Sequence, residues 1–232
     1  MLSVVFPAHN EAPYLEASVG EVLDGLRERG REAEVVIVEN GSTDGTKAVA
    51  EQLQRELPAV RSLSLDVPDY GAALRAGFLA ARGDIVVNFD VDYYDLDFLA
   101  EAVARLEAPG GPDIVVGSKR SAGAVDTRGW ARKLVTAVFT TILRRGFGLK
   151  VSDTHGMKAM RRAPLVPLAE ACRLTTDLFD TELVLRAERA GFTTAEIPVV
   201  TKETRPARSS MARRIPRTVV GLVRLRRALG RG

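Results

Sequence analysis

The residues with the clearest chemical potential are two aspartates, Asp90 and Asp92, which follow the apolar run 85–89 at a spacing of two. Alternate residues of an extended segment point to the same side, and two carboxylates held together in a partly buried place repel each other. A divalent cation removes this repulsion, and Mg²⁺ or Mn²⁺ takes carboxylate and substrate phosphate oxygens as ligands. The spacing therefore predicts a metal site at Asp90 and Asp92; the alternative is a solvated acidic loop.

Polar residues also follow the predicted strands at 3–6 and 34–39. Ligands of open α/β sheets bind beyond the carboxyl ends of the strands. The segment 40–46 is typical of a turn followed by a helix start, where Ser42 or Thr43 is expected to cap the helix. Capping does not account for Glu39 or Asn40, which become candidate binding residues.

Short apolar runs alternate with helical segments along the first half of the chain, which predicts βαβ units and a parallel sheet. Continuously apolar strands at 35–38 and 85–87 indicate helices on both faces of that sheet. The fold class expected is α/β, with a Rossmann-like, mostly parallel central sheet. The predicted strands are 3–6, 34–39, 60–65, 84–89, 113–117 and 194–200, and the helices run to Arg29 and over 43–56, 70–81, 96–106, 128–145 and 177–190.

Composition is that of a folded globular protein, with 46% hydrophobic and 27% charged residues among 232. The single cysteine, Cys172, excludes an intramolecular disulfide and a cysteine-bound metal cluster. The apolar stretch 134–143 is about half of the roughly 20 residues that span a bilayer. Because the first residues read as a strand and not as a secretory signal, the expected location is the cytoplasm.

Charge is distributed unevenly along the chain. Residues 202–232 carry ten Lys or Arg and one acid, a net charge of +9, whereas residues 1–201 carry −6. Apolar residues recur in this basic segment near helical spacing, with breaks expected at Pro206 and Pro216. Such a segment suits an anionic membrane surface or a partner groove, the alternative being an ordinary basic helix packed on its own domain. Nucleic acid is not expected, because no aromatic residue interleaves the arginines.

Several segments, in this order, resemble the inverting family 2 glycosyltransferases of GT-A fold: VVFPAHNE, VVIVENGSTDGT, DYGAALRAG, GDIVVNFDVD and DIVVGSKR. Two later segments, SDTHGMKAMRR and FDTELVLRAERAGFTTAEIPVV, are similar to the subgroup that glycosylates polyprenyl phosphates, the dolichyl-phosphate mannose synthase type. The resemblance implies a hexosyltransferase with a GT-A domain at 1–201, divided into a nucleotide-sugar half at 1–120 and an acceptor half at 121–201. The basic amphipathic segment 202–232 follows.

Site residues carried over from this resemblance fall into three groups. In the first, Asp90 and Asp92 hold the metal on the diphosphate, which gives Asp92 a catalytic role. The second binds the nucleotide sugar and comprises Pro7, His9, Glu11, Glu39, Asn40, Lys119 and Arg120, with the two basic residues facing phosphate. The third, Arg128 and Arg132, binds the acceptor phosphate, with Arg132 also catalytic; the alternative for both is a surface arginine.

The chain departs from the family pattern in four places. Glu39-Asn40 stands where two aspartates are usual, and Tyr94 stands where the polyprenyl subgroup often has a polar residue that assists the metal. The loop 153–156 is one residue shorter than usual, and Arg208 stands where the terminal motif of the subgroup has glycine. His155 is expected to contact the acceptor phosphate, or else to make a structural hydrogen bond. Asp180 or Glu182 is the candidate base if the acceptor is a hydroxyl. For Asp180 the alternative is a helix-capping role together with Asp177.

The favoured reaction moves a sugar, with inversion and metal assistance, from a nucleoside-diphosphate sugar of the GDP-mannose or UDP-glucose type to a polyprenyl phosphate. A phosphate monoester is ionised at neutral pH and needs no base, and the basic amphipathic segment 202–232 also favours a lipid phosphate. The enzyme would then be a peripheral protein on the inner face of the membrane. The first alternative is a GT-A enzyme with a soluble hydroxyl acceptor in glycan or natural-product biosynthesis. The second is a non-catalytic sugar-nucleotide or membrane binding module, which the intact Asp-x-Asp disfavours.

Overall fold

A computed structural model describes residues 1–119, 125–126, 130–201 and 211–230. Seven strands form one sheet, and two short strands pair separately. The strands are β1 (Leu2–Ala8), β2 (Ala33–Asn40), β3 (Val60–Leu65), β4 (Ile85–Asn88), β5 (Ile114–Ser118), β6 (Val125–Asp126), β7 (Lys158–Arg161), β8 (Thr194–Pro198) and β9 (Val200–Thr201). The large sheet has the order β3-β2-β1-β4-β7-β5-β8, and β6 pairs with β9.

All pairings of the large sheet are parallel except those of β7, which runs antiparallel to β4 and β5. Eight α-helices are described, together with one 3₁₀ turn at Thr176–Leu178. They are α1 (Ala12–Glu28), α2 (Thr46–Glu56), α3 (Tyr70–Ala80), α4 (Leu96–Glu107), α5 (Trp130–Phe147), α6 (Arg162–Ala171), α7 (Phe179–Arg189) and α8 (Met211–Leu229).

Two hydrophobic cores lie on opposite faces of the sheet, as the unbroken apolar strands predict. Alternate residues of β2 point into different cores: Val35 and Ile37 belong to one, Val36 and Val38 to the other. The first core is covered by α1, α2 and α4. The second is covered by α3, α6 and α7, with contributions from α5 and α8. The predicted α/β class with a mostly parallel sheet and helices on both faces is confirmed.

Strand β7 and helix α6 are absent from the sequence-based prediction. β7 has only four residues and begins with a lysine, so its sequence lacks the apolar run that marks the other central strands. It is a strand because β4 and β5 supply backbone hydrogen-bond partners on both sides.

The C-terminal half of α8 packs onto the second core. Leu225 is fully buried and Leu229 is 7% exposed, whereas Val220 and Val223 face outward. The helix is continuous through Pro216, so the break predicted there is wrong, and Pro206 lies outside the described residues. The buried leucines hold α8 on the sheet domain. The apolar residues of α8 therefore lie on two faces of the helix, one packed against the core and one exposed.

Candidate active site

The ends of five strands meet at one edge of the sheet. β1, β2, β4 and β5 bring their carboxyl ends there. Antiparallel β7 brings its first residue, Lys158, which pairs in register with Asn88 of β4 and Val116 of β5. This edge therefore collects both the predicted nucleotide-sugar residues and a lysine from the second half of the chain.

Three predicted nucleotide-binding residues lie at the end of β1 and just beyond it. Pro7 is buried within β1, and His9 Nδ1 lies 2.8 Å from the carbonyl oxygen of Asn40. Glu11 is buried where α1 begins, and its backbone N–H donates to Thr46 Oγ1 at 2.8 Å. The loop after β1 is thus fastened to the loop after β2, which forms one wall of the candidate site.

Ser42 and Thr43 support this wall and do not cap α2. Asn10 has the left-handed φ of 56°, and its Oδ1 accepts the Thr43 N–H at 2.8 Å. Its own N–H donates to Ser42 Oγ at 3.1 Å. The residue that precedes α2 is Gly45, and the first N–H of the helix, that of Thr46, donates to Asp44 Oδ1 at 2.9 Å and not to Ser42 or Thr43. The predicted capping role is wrong because these side chains are committed to the neighbouring loop.

Glu39 and Asn40 are both buried and hydrogen-bonded at the end of β2. Glu39 Oε1 accepts the Ser42 N–H at 2.5 Å and its Oε2 accepts the Ser64 hydroxyl at 2.6 Å. Burial alone would raise the pKa of Glu39, but these hydrogen bonds outweigh it and hold the pKa below its ordinary value. Asn40 Oδ1 accepts the Asp69 N–H at 2.7 Å. The end of β2 therefore presents a carboxylate, that of Glu39, which is ionised at neutral pH.

Asp90 and Asp92 lie on a turn and not on an extended strand, because β4 ends at Asn88. Asp90 and Tyr93 exchange two backbone hydrogen bonds, of 3.2 and 3.0 Å, which close the turn around Asp92. The Tyr70 hydroxyl donates to Asp90 Oδ1 at 2.9 Å. The argument from strand alternation is thus wrong, and it is the tight turn that keeps the two aspartates together.

Four charged groups act on one another at this turn. Burial raises the pKa of Asp90 above its ordinary value; the negative charges of Asp92 and Asp180 add to this effect, and the Tyr70 hydroxyl and the positive charge of Lys119 oppose it. Lys119 Nζ lies 5.5 Å from the centre of the Tyr93 ring. The structure therefore brings Lys119 and Asp180 to the acidic turn. Arg120 lies outside the described residues.

Tyr94 faces away from this turn. Its hydroxyl donates to Glu21 on α1, and its ring packs against Phe6 and Phe89 at centroid distances of 6.4 and 6.3 Å. Burial and the Glu21 carboxylate raise the pKa of Tyr94 to about 12. The residue that follows the acidic turn is consequently a core tyrosine.

Asp180 and Glu182 are buried in the first turn of α7, and the residue that precedes this helix, Leu178, makes no capping hydrogen bond. Asp180 Oδ1 lies 2.9 Å from Lys158 Nζ, at an angle that makes the contact an ion pair without a hydrogen bond. Glu182 Oε2 accepts the backbone N–H groups of Arg173 and Leu174. The Asp177 side chain lies outside what the structure describes, so the capping alternative for Asp180 stays a prediction. Of the two acids, Asp180 is the one associated with the acidic turn.

His155 lies in the loop between α5 and β7. Its backbone N–H donates to Asp153 Oδ1 at 3.0 Å, and its ring centre is 5.8 Å from that of Phe139. The neighbouring Thr154 hydroxyl lies 2.9 Å from the Thr181 hydroxyl. Both structural hydrogen bonding and an acceptor contact are compatible with this place, so the acceptor contact stays a prediction.

Lys158 is the site residue that the sequence analysis missed. Its side chain is fully buried, and a lysine is almost never buried without a partner. The only available signal was its position five residues after Asp153 within the resembling segment SDTHGMKAMRR. Of the predicted acceptor arginines, Arg128 lies outside the described residues. Arg132 belongs to α5, and its side chain lies outside what the structure describes.

Two further properties bear on the site. Within the described ranges, no group of three or more His, Cys, Asp or Glu side chains is arranged to hold a metal ion. No described helix is long and apolar enough to cross a membrane.

The sheet order and the acidic turn at its edge define a glycosyltransferase of GT-A fold. Residues 3–166 match the family described as Glycosyl transferase family 2, and the chain belongs to this family. By this membership it is a glycosyltransferase, and its relatives carry glycosyltransferase names.

Among these relatives is glycosyltransferase AglD of Haloferax volcanii, which is 34% identical over 85% of this chain. The match covers only 32% of AglD, so this chain spans about a third of that relative. An uncharacterized glycosyltransferase of Mycobacterium bovis is 31% identical, with 85% of this chain and 84% of the relative covered. Dolichyl-phosphate beta-glucosyltransferase of Saccharomyces cerevisiae is 28% identical, with 91% and 70% covered.

Solved structures share the fold. The mannosyltransferase PcManGT of Pyrobaculum calidifontis, solved with GDP-Man and Mn²⁺, superposes with a TM-score of 0.61 at 24% identity over 96% of this chain and 64% of that one. Glucosyl-3-phosphoglycerate synthase of Mycobacterium tuberculosis, solved with Mn²⁺ and UDP-glucose, gives a TM-score of 0.69 at 23% identity, with 99% and 79% covered.

Proposed function

We propose that this chain transfers a hexose from a nucleoside-diphosphate sugar to a polyprenyl phosphate with inversion. An oxygen of the acceptor phosphate attacks the anomeric carbon, and the bond from that carbon to the diphosphate breaks, so that the nucleoside diphosphate leaves with the bonding electrons. No proton has to move, because a phosphate monoester is already ionised near neutral pH.

The donor half of this proposal relies on the wall formed after β1 and β2 and on the acidic turn. Ionised Glu39 offers hydrogen-bond acceptors to the hydroxyl groups of a nucleoside. Lys119 lies beside the turn, where its positive charge would act on the diphosphate. Both positions agree with the roles that the family resemblance implies for these residues.

A divalent cation fits the acidic turn. Asp90 and Asp92 are hard oxygen donors, and the raised pKa of Asp90 reflects burial and negative charge that a cation would offset. Such a cation would neutralise the charge that grows on the departing diphosphate. The two carboxylates leave ligand positions for substrate phosphates, and PcManGT and glucosyl-3-phosphoglycerate synthase were each solved with Mn²⁺. We propose Mg²⁺ or Mn²⁺ for this chain.

The observation that carries the lipid acceptor is the exposed apolar face of α5. Four large apolar side chains between positions 134 and 142 are each 41–56% exposed: Leu134, Val135, Val138 and Ile142. Lysines and arginines flank this face, and α8 exposes two further valines beside three exposed arginines. Contiguous apolar surface with basic residues at its edge is typical of proteins that lie on anionic membranes. The yeast relative is named for a dolichyl-phosphate acceptor.

A soluble hydroxyl acceptor is the second candidate, and Asp180 is the observation that favours it. A hydroxyl nucleophile must lose a proton, and Asp180 is a buried carboxylate within electrostatic reach of Asp90. Its ion pair with Lys158 holds this carboxylate in the first turn of α7. The two candidates therefore differ in whether Asp180 is required for chemistry.

The decisive experiment measures transfer from radiolabelled GDP-mannose and UDP-glucose with Mn²⁺ to a polyprenyl phosphate in anionic vesicles, in parallel with the non-phosphorylated polyprenol and with free sugars. We expect product with the lipid phosphate alone. Product with a soluble hydroxyl acceptor and none with the lipid phosphate would establish the second candidate instead.

A matched pair of variants tests the membrane surface. Val138→Glu places a charge on the exposed apolar face of α5 and should reduce co-sedimentation with vesicles and lipid transfer while donor binding is kept. Ala104→Glu adds the same charge at an exposed position of α4, which covers the other core, and should change neither. Equal vesicle binding by both variants would contradict the role of α5.

A further inference from the structure

Lys158 is a buried cation whose ammonium group contacts, among the described residues, the loop 153–156 and helix α7. Its Nζ donates to the carbonyl oxygens of Gly156 at 2.7 Å and Thr154 at 3.2 Å, and it lies 2.9 Å from Asp180 Oδ1. Both side chains of the ion pair are at most 3% exposed. One ammonium group thus joins the loop 153–156 to the first turn of α7.

Other contacts support the same connection. The Asn88 side chain donates from Nδ2 to the Gly156 carbonyl at 3.3 Å, so that this carbonyl receives hydrogen bonds from both β4 and β7. Within the loop, the Thr154 hydroxyl meets that of Thr181 on α7. The loop that carries His155 is therefore held at several points relative to Asp180.

Fold stability gives little reason for a charged pair at this place. Desolvation of two charges offsets much of their attraction, and well-packed apolar residues of similar volume are often as stable or more so. The neighbours of Lys158 along β7, Ala159 and Met160, are ordinary apolar core residues. A role in arranging the site accounts for the lysine better than a role in holding the sheet.

We propose that Lys158 is a positioning residue that fixes the loop 153–156 against α7 and so sets where the acceptor meets the sugar at the Asp90 turn. This inference rests on the proposed transferase function. Loss of Lys158 should therefore impair use of the acceptor but not binding of the donor, because the donor wall is built from β1 and β2 and does not depend on Lys158. Without it, a bound donor should react with water in preference to the acceptor.

The test is the ratio of transfer to donor hydrolysis in Lys158→Met, measured with the full chain, polyprenyl phosphate vesicles and the nucleotide sugar that the unmodified chain uses. This ratio does not depend on the fraction of protein that is folded. Because displacement of a reactant by about 1 Å can cost about 100-fold in rate, we expect the ratio to fall by roughly that factor. Binding of the matching nucleoside diphosphate with Mn²⁺, measured by calorimetry, should stay within about twofold.

Lys150→Met is the matched control, since the Lys150 side chain is exposed, and its ratio should equal that of the unmodified chain. If Lys158→Met does not fold, the double variant Lys158→Met with Asp180→Asn removes both buried charges and should show the same loss of ratio. An unchanged ratio in either folded variant overturns the proposal for Lys158 and leaves the transferase function standing. Absence of transfer by the unmodified chain overturns the proposed function, and this inference with it.

Discussion

Replacement of Glu39 tests whether one buried carboxylate organises the donor wall. Glu39 is 3% exposed and accepts two hydrogen bonds, from the Ser42 amide and the Ser64 hydroxyl. Glu39→Ala removes both bonds, whereas Glu39→Gln keeps the shape and one carbonyl oxygen. The Ser64 hydroxyl can turn and accept a hydrogen bond from the new amide.

The magnitude follows from these two contacts. A hydrogen bond to a charged group contributes about 1.5–3 kcal/mol. Because Ser42 is only partly buried, water replaces part of the loss, so we expect Glu39→Ala to lower the free energy of unfolding by about 3 kcal/mol and Glu39→Gln by about 1 kcal/mol. Donor affinity should fall in both, since both remove the negative charge that we propose binds the nucleoside.

Urea denaturation measures the stability of each variant, and calorimetry with the nucleoside diphosphate and Mn²⁺ measures donor affinity. Glu51→Ala, at an exposed position of α2, is the control and should stay within about 0.5 kcal/mol of the unmodified chain. The reasoning is refuted if Glu39→Ala costs less than the control range, or if donor affinity is unchanged in both Glu39 variants.

Three further outcomes are expected. Asp92→Asn should keep the fold but lower transfer by about 100-fold, equivalent to about 3 kcal/mol of lost charge stabilisation, and activity of the unmodified chain that resists a chelator would contradict this. Burial opposes ionisation of Glu34, but hydrogen bonds from Ser3 and the Arg82 amide hold its pKa below the ordinary value. The ionised form of Glu34 therefore stabilises the fold fully above about pH 4.3, and this contribution is lost as the pH falls through the lower pKa of the folded state. The difference in unfolding free energy between the unmodified chain and Glu34→Gln should shrink from neutral pH to pH 3 when measured by urea titration. A difference that does not vary with pH would contradict this. Leu225→Ala should destabilise the chain by about 2–5 kcal/mol because that side chain is fully buried in the second core, and an unchanged melting temperature would show that α8 is not part of the folded unit.

The sequence predicted the donor half of the fold well. The strand predicted at 60–65 coincides with β3, and the helix predicted at 70–81 differs from α3 by one residue. These elements are marked by local patterns: apolar runs covered on both faces, and helical segments that alternate with them. The acidic pair Asp90 and Asp92 was also recognisable, because two carboxylates held together after a buried strand repel each other unless a cation offsets their charge.

The second half could not be predicted in the same way. β7 has no apolar run, and its antiparallel place between β4 and β5 depends on strands that are distant along the chain. Asp180 resembled a helix cap because acids are common in the first turn, yet it is buried and turned toward Lys158. No local pattern distinguishes these two possibilities.

The sequence by itself determined the α/β class, the central strands, the acidic pair Asp90 and Asp92 and the uneven charge, since each depends on residue type and spacing within one segment. Only the tertiary structure decided which side chains meet. It turned Tyr94 toward Glu21, gave Glu39 its two partners and joined Lys158 to Asp180. The physical reason is that the energy of a buried polar group is set by the partners and solvent around it, and the fold brings those partners from separate parts of the chain.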